Sequence, residues 1–270
     1  MSKRRKDTFG GSQTELLAMT KELDELHHDV GRPAMGEGIS NMIDGMRGGA
    51  GSTSRRTFLL GAGAAAGGAA MLAVGGTPAL AGASTRSLSS LGATRAAAFP
   101  PAGLTGDLAV AAVAASLENL AVFAYSAGLA AATAGKLGAV PPAVAAFATT
   151  VKGQHQQHAD AWNGVLKAHG KAPVTVTNPK LTPTVQADFA KVTDIAGLAQ
   201  LAITLETIAA QTYQAETSML KSKAAIGLSS SIQPVEMQHI AILYYVLGMY
   251  PGAQTSSGTP LAFNPTSQAV

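Results

Sequence analysis

Apolar and polar positions recur with a helical period over four long stretches beyond residue 104, and glycine or proline closes each of them. The first predicted helix runs from about Thr105 to Ala134 and ends at Gly135 and Gly138. The second starts after Pro141-Pro142 and runs to about His169, where Gly170 stops it. Residues 171–183 contain Pro173, Pro179 and Pro183 and read as an extended crossover, with a short helix around 184–191. The third long helix spans about Asp194 to Lys221, and the fourth about Ala225 to Leu247, with Gly248 and Pro251 beyond it. Pro234 falls inside the fourth and is expected to bend or interrupt it locally. Alternation of β-branched residues is confined to Val174-Thr175-Val176-Thr177, so essentially no sheet is expected. Two short connections and one longer one predict an all-α four-helix bundle. It consists of two hairpins joined by a long crossover between helices 2 and 3. Alanine dominates the faces, which lets the helices approach closely. The alternative for helix 1 is a membrane span, because residues 108–135 hold one charge. Their alanine content makes them only weakly apolar, and Glu118 would sit near the middle.

The N-terminal part divides differently. Residues 1–53 form an extension with one short amphipathic helix. Ser12-x-x-Glu15 has the pattern of a capping box; Leu16, Leu23, Leu26 and Val30 mark one face, and Gly31-Arg32-Pro33 ends it. His27 and His28 are adjacent and point about 100° apart on a helix, so they are not read as a metal pair. A start at Met46 would leave a short basic region, but the capped helix argues that the stretch upstream is coding. Residues 54–83 resemble a twin-arginine export signal. Arg55-Arg56 precedes an apolar run, Leu59 to Val74, of 16 residues. A membrane span needs about 20. Ala79-x-Ala81 and Ala81-x-Ala83 are cleavage candidates. The resemblance implies recognition by the twin-arginine export machinery, which carries folded proteins, and a place in the periplasm, cell envelope or exterior. Residues 84–103 are a linker, 104–250 the bundle and 251–270 a tail expected to be disordered.

The chemistry lies in an internal repeat. Leu117 to Tyr125 and Leu205 to Tyr213 repeat one another, and each begins Leu-Glu and ends in Tyr. After a connection comes His155-Gln156-Gln157-His158 in the first half and Glu236-Met237-Gln238-His239 in the second. Glu118 to Glu206 is 88 residues, and His155 to Glu236 is 81. From Ser84 onward the only glutamates are Glu118, Glu206, Glu216 and Glu236, and the only histidines His155, His158, His169 and His239. Ionisable groups on apolar helix faces are costly to bury unless they are paired or bind a metal. Each of these residues alone reads as a hydrogen-bonded core group. The ordered set Glu118, His155, His158, Glu206, Glu236 and His239 reads as metal ligands. Residues three apart on a helix share a face, so His155 with His158, and Glu236 with His239, are set to chelate. Carboxylate with imidazole suits iron, manganese or zinc. Tyr125 and Tyr213 lie seven residues after a glutamate, on the same face. They read as core tyrosines with satisfied hydroxyls, ahead of a role in supporting ligands. Trp162 reads as core. Gln157 and Gln238 either orient ligands or face solvent.

Composition narrows the field. Charged residues make up 13% of 270, and the net charge is +3. Nine Lys/Arg and eight Asp/Glu fall in residues 1–83, ten and eight in 84–270. Neither part offers a basic stripe with interleaved aromatics, so nucleic-acid binding is not expected. Cysteine is absent, which excludes disulfides, thiolate metal sites and thiol nucleophiles.

On Glu118, His158, Glu206, Glu236 and His239, residues 104–248 resemble the exported ferritin-like domain proteins of bacteria, relatives of ferritin and bacterioferritin. The resemblance implies a two-metal centre in mid-bundle that activates dioxygen or peroxide or oxidises Fe(II). One position departs: the family pattern places Glu three before the helix-2 histidine, where this chain has His155. An imidazole binds one metal terminally, so the set holds three carboxylates and three imidazoles. Three functions stay open: a redox or metal-oxidising enzyme, a non-enzymatic metal-binding or stress-protective bundle, and a scaffold with a degenerate site.

Overall fold

The computed structural model of the chain describes residues 12–31 and 99–249. The signal-like segment, most of the 84–103 linker and the tail after Pro251 lie outside the described residues, as does the side chain of Val30. Everything regular among the described residues is helical. Helix α1 spans Gln13–Leu26 and continues into a π-helical turn, His27–Gly31. The bundle comprises α2 (Asp107–Thr133), α3 (Pro142–Ala168), α5 (Ile195–Met219) and α6 (Lys223–Val246), with a short α4 (Thr182–Phe189) before α5. Each boundary falls within a few residues of its expected position. Gly135 and Gly170, the predicted stops of α2 and α3, adopt positive φ of 72° and 67°, which glycine reaches without Cβ strain. The N-cap of α5 is Asp194, whose carboxylate accepts the Gly197 N–H at 2.7 Å. At α6 the Ser222 hydroxyl accepts the Ala225 N–H.

Helices α2 and α3 pack as one hairpin and α5 and α6 as the other. Apolar side chains form a core at each end. Val110, Trp162, Leu166, Tyr213, Leu228 and Ile232 belong to one, and Leu16, Phe147, Val151, Ile203, Leu243 and Val246 to the other. On α2, α3 and α5 the candidate ligands fall between the segment serving one core and the segment serving the other, and on α6 they follow Val235 at the start of the second. That places them at mid-bundle. Helix α2 is long and apolar enough to cross a membrane, yet 61% of its most apolar window is buried inside the bundle.

The crossover is held by side-chain amides. Asn119 and Asn163 donate to the Val174 carbonyl at 2.9 and 3.1 Å, and Asn163 Oδ1 accepts the Val174 N–H at 2.7 Å. These bonds replace a strand ladder, so the Val174–Thr177 stretch runs extended without a partner strand. Pro234 does not interrupt α6. Its missing N–H frees the carbonyl four residues back, at Ser230. Both residues are exposed, and water can satisfy that group.

Helix α1 is no detached extension. It packs against α3 and α6. Its buried stripe is Leu16, Thr20, Leu23 and His27, which corrects the expected face: Leu26 is 44% exposed. The cap also differs from a simple capping box. Ser12 Oγ accepts the Glu15 N–H, but the Ser12 N–H donates to the Tyr245 hydroxyl of α6 at 2.8 Å, and that hydroxyl donates to the Glu15 carboxylate. The helix start is thus stapled to the bundle.

Candidate metal centre

All six expected ligands converge, one each from α2 and α5 and two each from α3 and α6, and all are buried. His155 lies between the hairpins. Its Nδ1 is 2.8 Å from Glu118 Oε2 and its Nε2 3.2 Å from Glu206 Oε1. His158 Nδ1 is 3.0 Å from Glu236 Oε1 and 3.6 Å from Glu118 Oε2. His239 Nδ1 is 3.4 Å from both Glu206 Oε2 and Glu236 Oε2. Two ligand groups result, Glu118/His155/His158/Glu236 and His155/Glu206/Glu236/His239, each with its ligating atoms within 4.8 Å of one another. They share His155 and Glu236. One oxygen of Glu236 faces His158 and the other faces His239, which is the posture of a bridging carboxylate. A neutral imidazole has one lone pair, so His155 serves one group and keeps an N–H toward the other.

The tyrosines exchange partners across the pseudo-twofold. Tyr125 of α2 donates to Glu206 of α5 at 2.5 Å, and Tyr213 of α5 donates to Glu118 of α2. Their hydroxyls are satisfied, as expected, but by the candidate ligands themselves. Trp162, expected as core, is fully buried and its indole N–H donates to the Tyr213 oxygen at 3.0 Å. Gln238 is exposed, and Gln157 is half-buried. The glutamine that orients a ligand is Gln154, which the sequence reading passed over. Its Oε1 accepts from His239 Nε2 at 2.8 Å, fixing the tautomer that leaves Nδ1 free to ligate. Gln154 lies four residues before His158, on the same helix face, and that spacing was the available signal. The remaining glutamate and histidine stay outside the cluster. Burial and the charge of Glu118 push the Glu216 carboxyl well up, and His169 Nδ1 donates to the Val165 carbonyl.

A second missed residue is His27. His28 turns outward near Asp24. His27 alone points inward, 1% exposed, with its ring centroid 5.3 Å from that of His158. Burial, then the charge of His158, pull its pKa down to about 3. Its place on the stripe of Leu16, Thr20 and Leu23 was the signal.

Electrostatics decide what the cluster can do. Burial alone would neutralise every member. For Glu118 burial is outweighed by the His158 charge and by hydrogen bonding from His155, which hold it at about 2. For Glu206 the charges of His155 and His239 outweigh burial and hold it well below the usual carboxylate range. Against burial, Glu206 and Glu236 lift His155 well above 6.5, Glu118 lifts His158 to about 9, and Glu206 raises His239. With all three imidazoles protonated the cluster is neutral on its own. With them neutral it carries three negative charges, a match for one or two divalent cations.

The donor set fits a metal on one further observation. Both Glu236 oxygens and both His158 ring nitrogens are buried without a hydrogen-bond partner. A buried carboxylate costs several kcal/mol unless a cation meets it, and here that cation is either a metal ion or the imidazoliums 3.0–3.9 Å away. Beside the cluster, a cavity of about 20 Å³ bounded by Glu118, His155 and Glu206 has room for one water-sized molecule.

The family model described as Ferritin-like domain matches residues 106–249, just over half of the chain. The chain belongs to the ferritin-like domain family. No curated protein and no solved structure matches it. Within this ferritin-like domain, the matched segment begins at the N-cap of α2 and ends just past α6, so α1 and His27 lie outside it.

Proposed function

We propose that this ferritin-like protein holds one or two divalent ions between Glu118, His155, His158, Glu206, Glu236 and His239. After twin-arginine export it acts in metal-dependent redox chemistry or metal handling in the cell envelope. The observation that carries the metal reading is Glu236, fully buried with one oxygen toward each imidazole group and neither oxygen in a well-aligned hydrogen bond. Bound iron or manganese supplies one-electron chemistry toward dioxygen or peroxide, and zinc supplies Lewis acidity. The chain's own residues position the rest. Tyr125 and Tyr213 hold the two lone glutamates in orientation, and Gln154 fixes the His239 tautomer. The hydrogen-bonded series Trp162, Tyr213, Glu118 offers a path for an electron or proton at the site.

Elemental analysis of protein purified from its native export route tests this reading. Metal content should approach one to two per chain, and Glu236→Gln should lower it by at least half, because Glu236 belongs to both groups. A second reading rests on the charge balance: three imidazoliums neutralise three carboxylates, so a scaffold without metal is self-consistent. Wild-type protein that carries no metal and is equally stable with and without chelator would favour the scaffold.

The export part is tested separately. Arg55-Arg56 ahead of a weak apolar run supports it. Arg55→Lys with Arg56→Lys should retain the precursor in the cytoplasm, and the native N-terminus should map near Gly82 or Ser84. Unprocessed protein whose location ignores the double substitution refutes it.

A further inference from the structure

The residue that the ferritin-like domain does not account for is His27. A helix outside the matched segment buries an imidazole against the metal cluster, and both ring nitrogens lack a hydrogen bond. Gln157 is its polar neighbour, but Gln157 Oε1 is also without a properly aligned partner. Leucine or phenylalanine would cover the cluster at lower cost, since a buried imidazole without well-aligned partners loses the hydrogen bonds it makes to water. His27 belongs to neither ligand group as the side chains stand, but its ring lies one imidazole spacing from that of His158. With a metal–nitrogen bond of about 2.1 Å, two imidazoles on one tetrahedral ion place their centroids about 5 Å apart. His155 and His239, which share a ligand group, stand at 5.1 Å; His155 and His158, which share the other, at 6.0 Å; His27 and His158 stand at 5.3 Å.

We propose that His27 is a further metal ligand, delivered by α1 to the ion held on the Glu118/His158/Glu236 side. The proposal rests on the metal reading above and adds that the centre is completed from outside the four-helix bundle. Its consequence is coupling: metal holds α1 down, and a docked α1 tightens metal. Leu16 and Leu23 supply the apolar part of the docking, and the Ser12–Tyr245–Glu15 staple fixes its start.

The test uses the full chain as wild type, His27→Leu and His27→Gln. Leucine keeps the apolar cover and removes the nitrogen; glutamine keeps polarity with the wrong geometry. Zinc affinity is read by chelator competition, cobalt by its visible absorption, and docking by tryptic cleavage at exposed Lys21. In the wild type, zinc should slow cleavage at Lys21. Both variants should bind one equivalent about 10–100-fold more weakly, change the cobalt spectrum and lose the zinc-dependent protection. Wild-type protein that binds zinc with no change in Lys21 cleavage, together with unaltered affinity and cobalt spectrum in the variants, makes α1 a cover only and overturns the proposal. Wild-type protein that binds neither metal overturns the metal reading itself.

Discussion

His155→Glu should make the fold depend on metal. In the wild-type cluster the His155 ring stands 2.8 Å from Glu118 and 3.2 Å from Glu206, and its Nδ1 is 3.9 Å from Glu236. Its charge is the largest that keeps Glu206 ionised against burial, and its hydrogen bond helps the His158 charge do the same for Glu118. Replacing it with glutamate removes that cation and adds a fourth carboxylate. Breaking a buried ion cluster in this way costs about 3–5 kcal/mol, even after some carboxylates take up protons. The same substitution restores the ligand set that the family resemblance implies, with four carboxylates and two imidazoles. Divalent metal should therefore rescue what chelator destroys. A ligand at a thousand times its dissociation constant stabilises the folded state by about 4 kcal/mol, or roughly 10 °C in Tm for a domain of this size. Thermal unfolding of both proteins, in chelator and in excess zinc or Fe(II), checks the prediction. The variant should melt well below wild type in chelator and close the gap in metal. A variant as stable as wild type in chelator would show that the cluster tolerates four carboxylates without a cation, and the charge argument would fall.

The bundle was legible because its punctuation is strong. Gly135, Gly170, Gly248 and Pro141-Pro142 end or begin helices where the apolar period stops, so the boundaries land within about a turn. The six candidate ligands were legible because carboxylates and imidazoles are rare in these alanine-rich helices. Two kinds of information were missing. A short amphipathic helix shows that it has a buried face but not which surface it meets. Leu26 shares the expected face with Leu16, Leu23 and Val30, while the buried stripe uses Thr20 and His27 beside Leu16 and Leu23. The second kind is partner identity across the pseudo-twofold. A spacing of seven puts Tyr125 on the ligand face of α2, but only the packed hairpins show that it serves Glu206 of α5. Pro234 illustrates the same limit: α6 runs through it, and because Pro234 and Ser230 are both exposed, water can take the carbonyl that lost its partner.

These corrections bear on function. Cleavage near residues 79–83 would cut the chain between α1 and the bundle. His27 would then remain only by non-covalent docking. Comparing zinc affinity in precursor and processed protein therefore reads the export and His27 proposals together.

Stability in chelator should peak between about pH 4.5 and 6.5 and fall on both sides, and metal should abolish the alkaline fall. The signs follow from the two kinds of group. Glu118 has its folded pKa lowered to about 2, so its contribution is complete above the unfolded carboxylate value, near 4.3, and is lost as pH falls toward 2. His158 has its folded pKa raised to about 9, so its contribution is complete below the unfolded imidazole value, near 6.5, and is lost as pH rises through 9. His155 and His239 shift in the same direction and Glu206 follows Glu118, so each limb is steeper than one residue would make it. Inside the maximum, the loss from His27 as pH falls below about 6.5 and the loss from Glu216 as pH rises above about 4.3 oppose one another. One pKa unit corresponds to about 1.4 kcal/mol, so His158 alone accounts for a loss on the order of 3 kcal/mol across the alkaline limb. Metal competes with the same protons. Ligating imidazoles must be neutral, so binding should strengthen well above the pH 6.5 of a free histidine and continue to tighten toward pH 9. The two curves should therefore diverge: chelator-treated protein weakens between pH 6.5 and 9 while zinc-loaded protein holds. Urea unfolding at pH 3, 5.5, 7.5 and 9, with chelator and with zinc, gives both curves. A flat profile in chelator from pH 5.5 to 9 would mean that the imidazoles are neutral in the folded chain, and the self-neutralised cluster would no longer explain how the fold stands without metal.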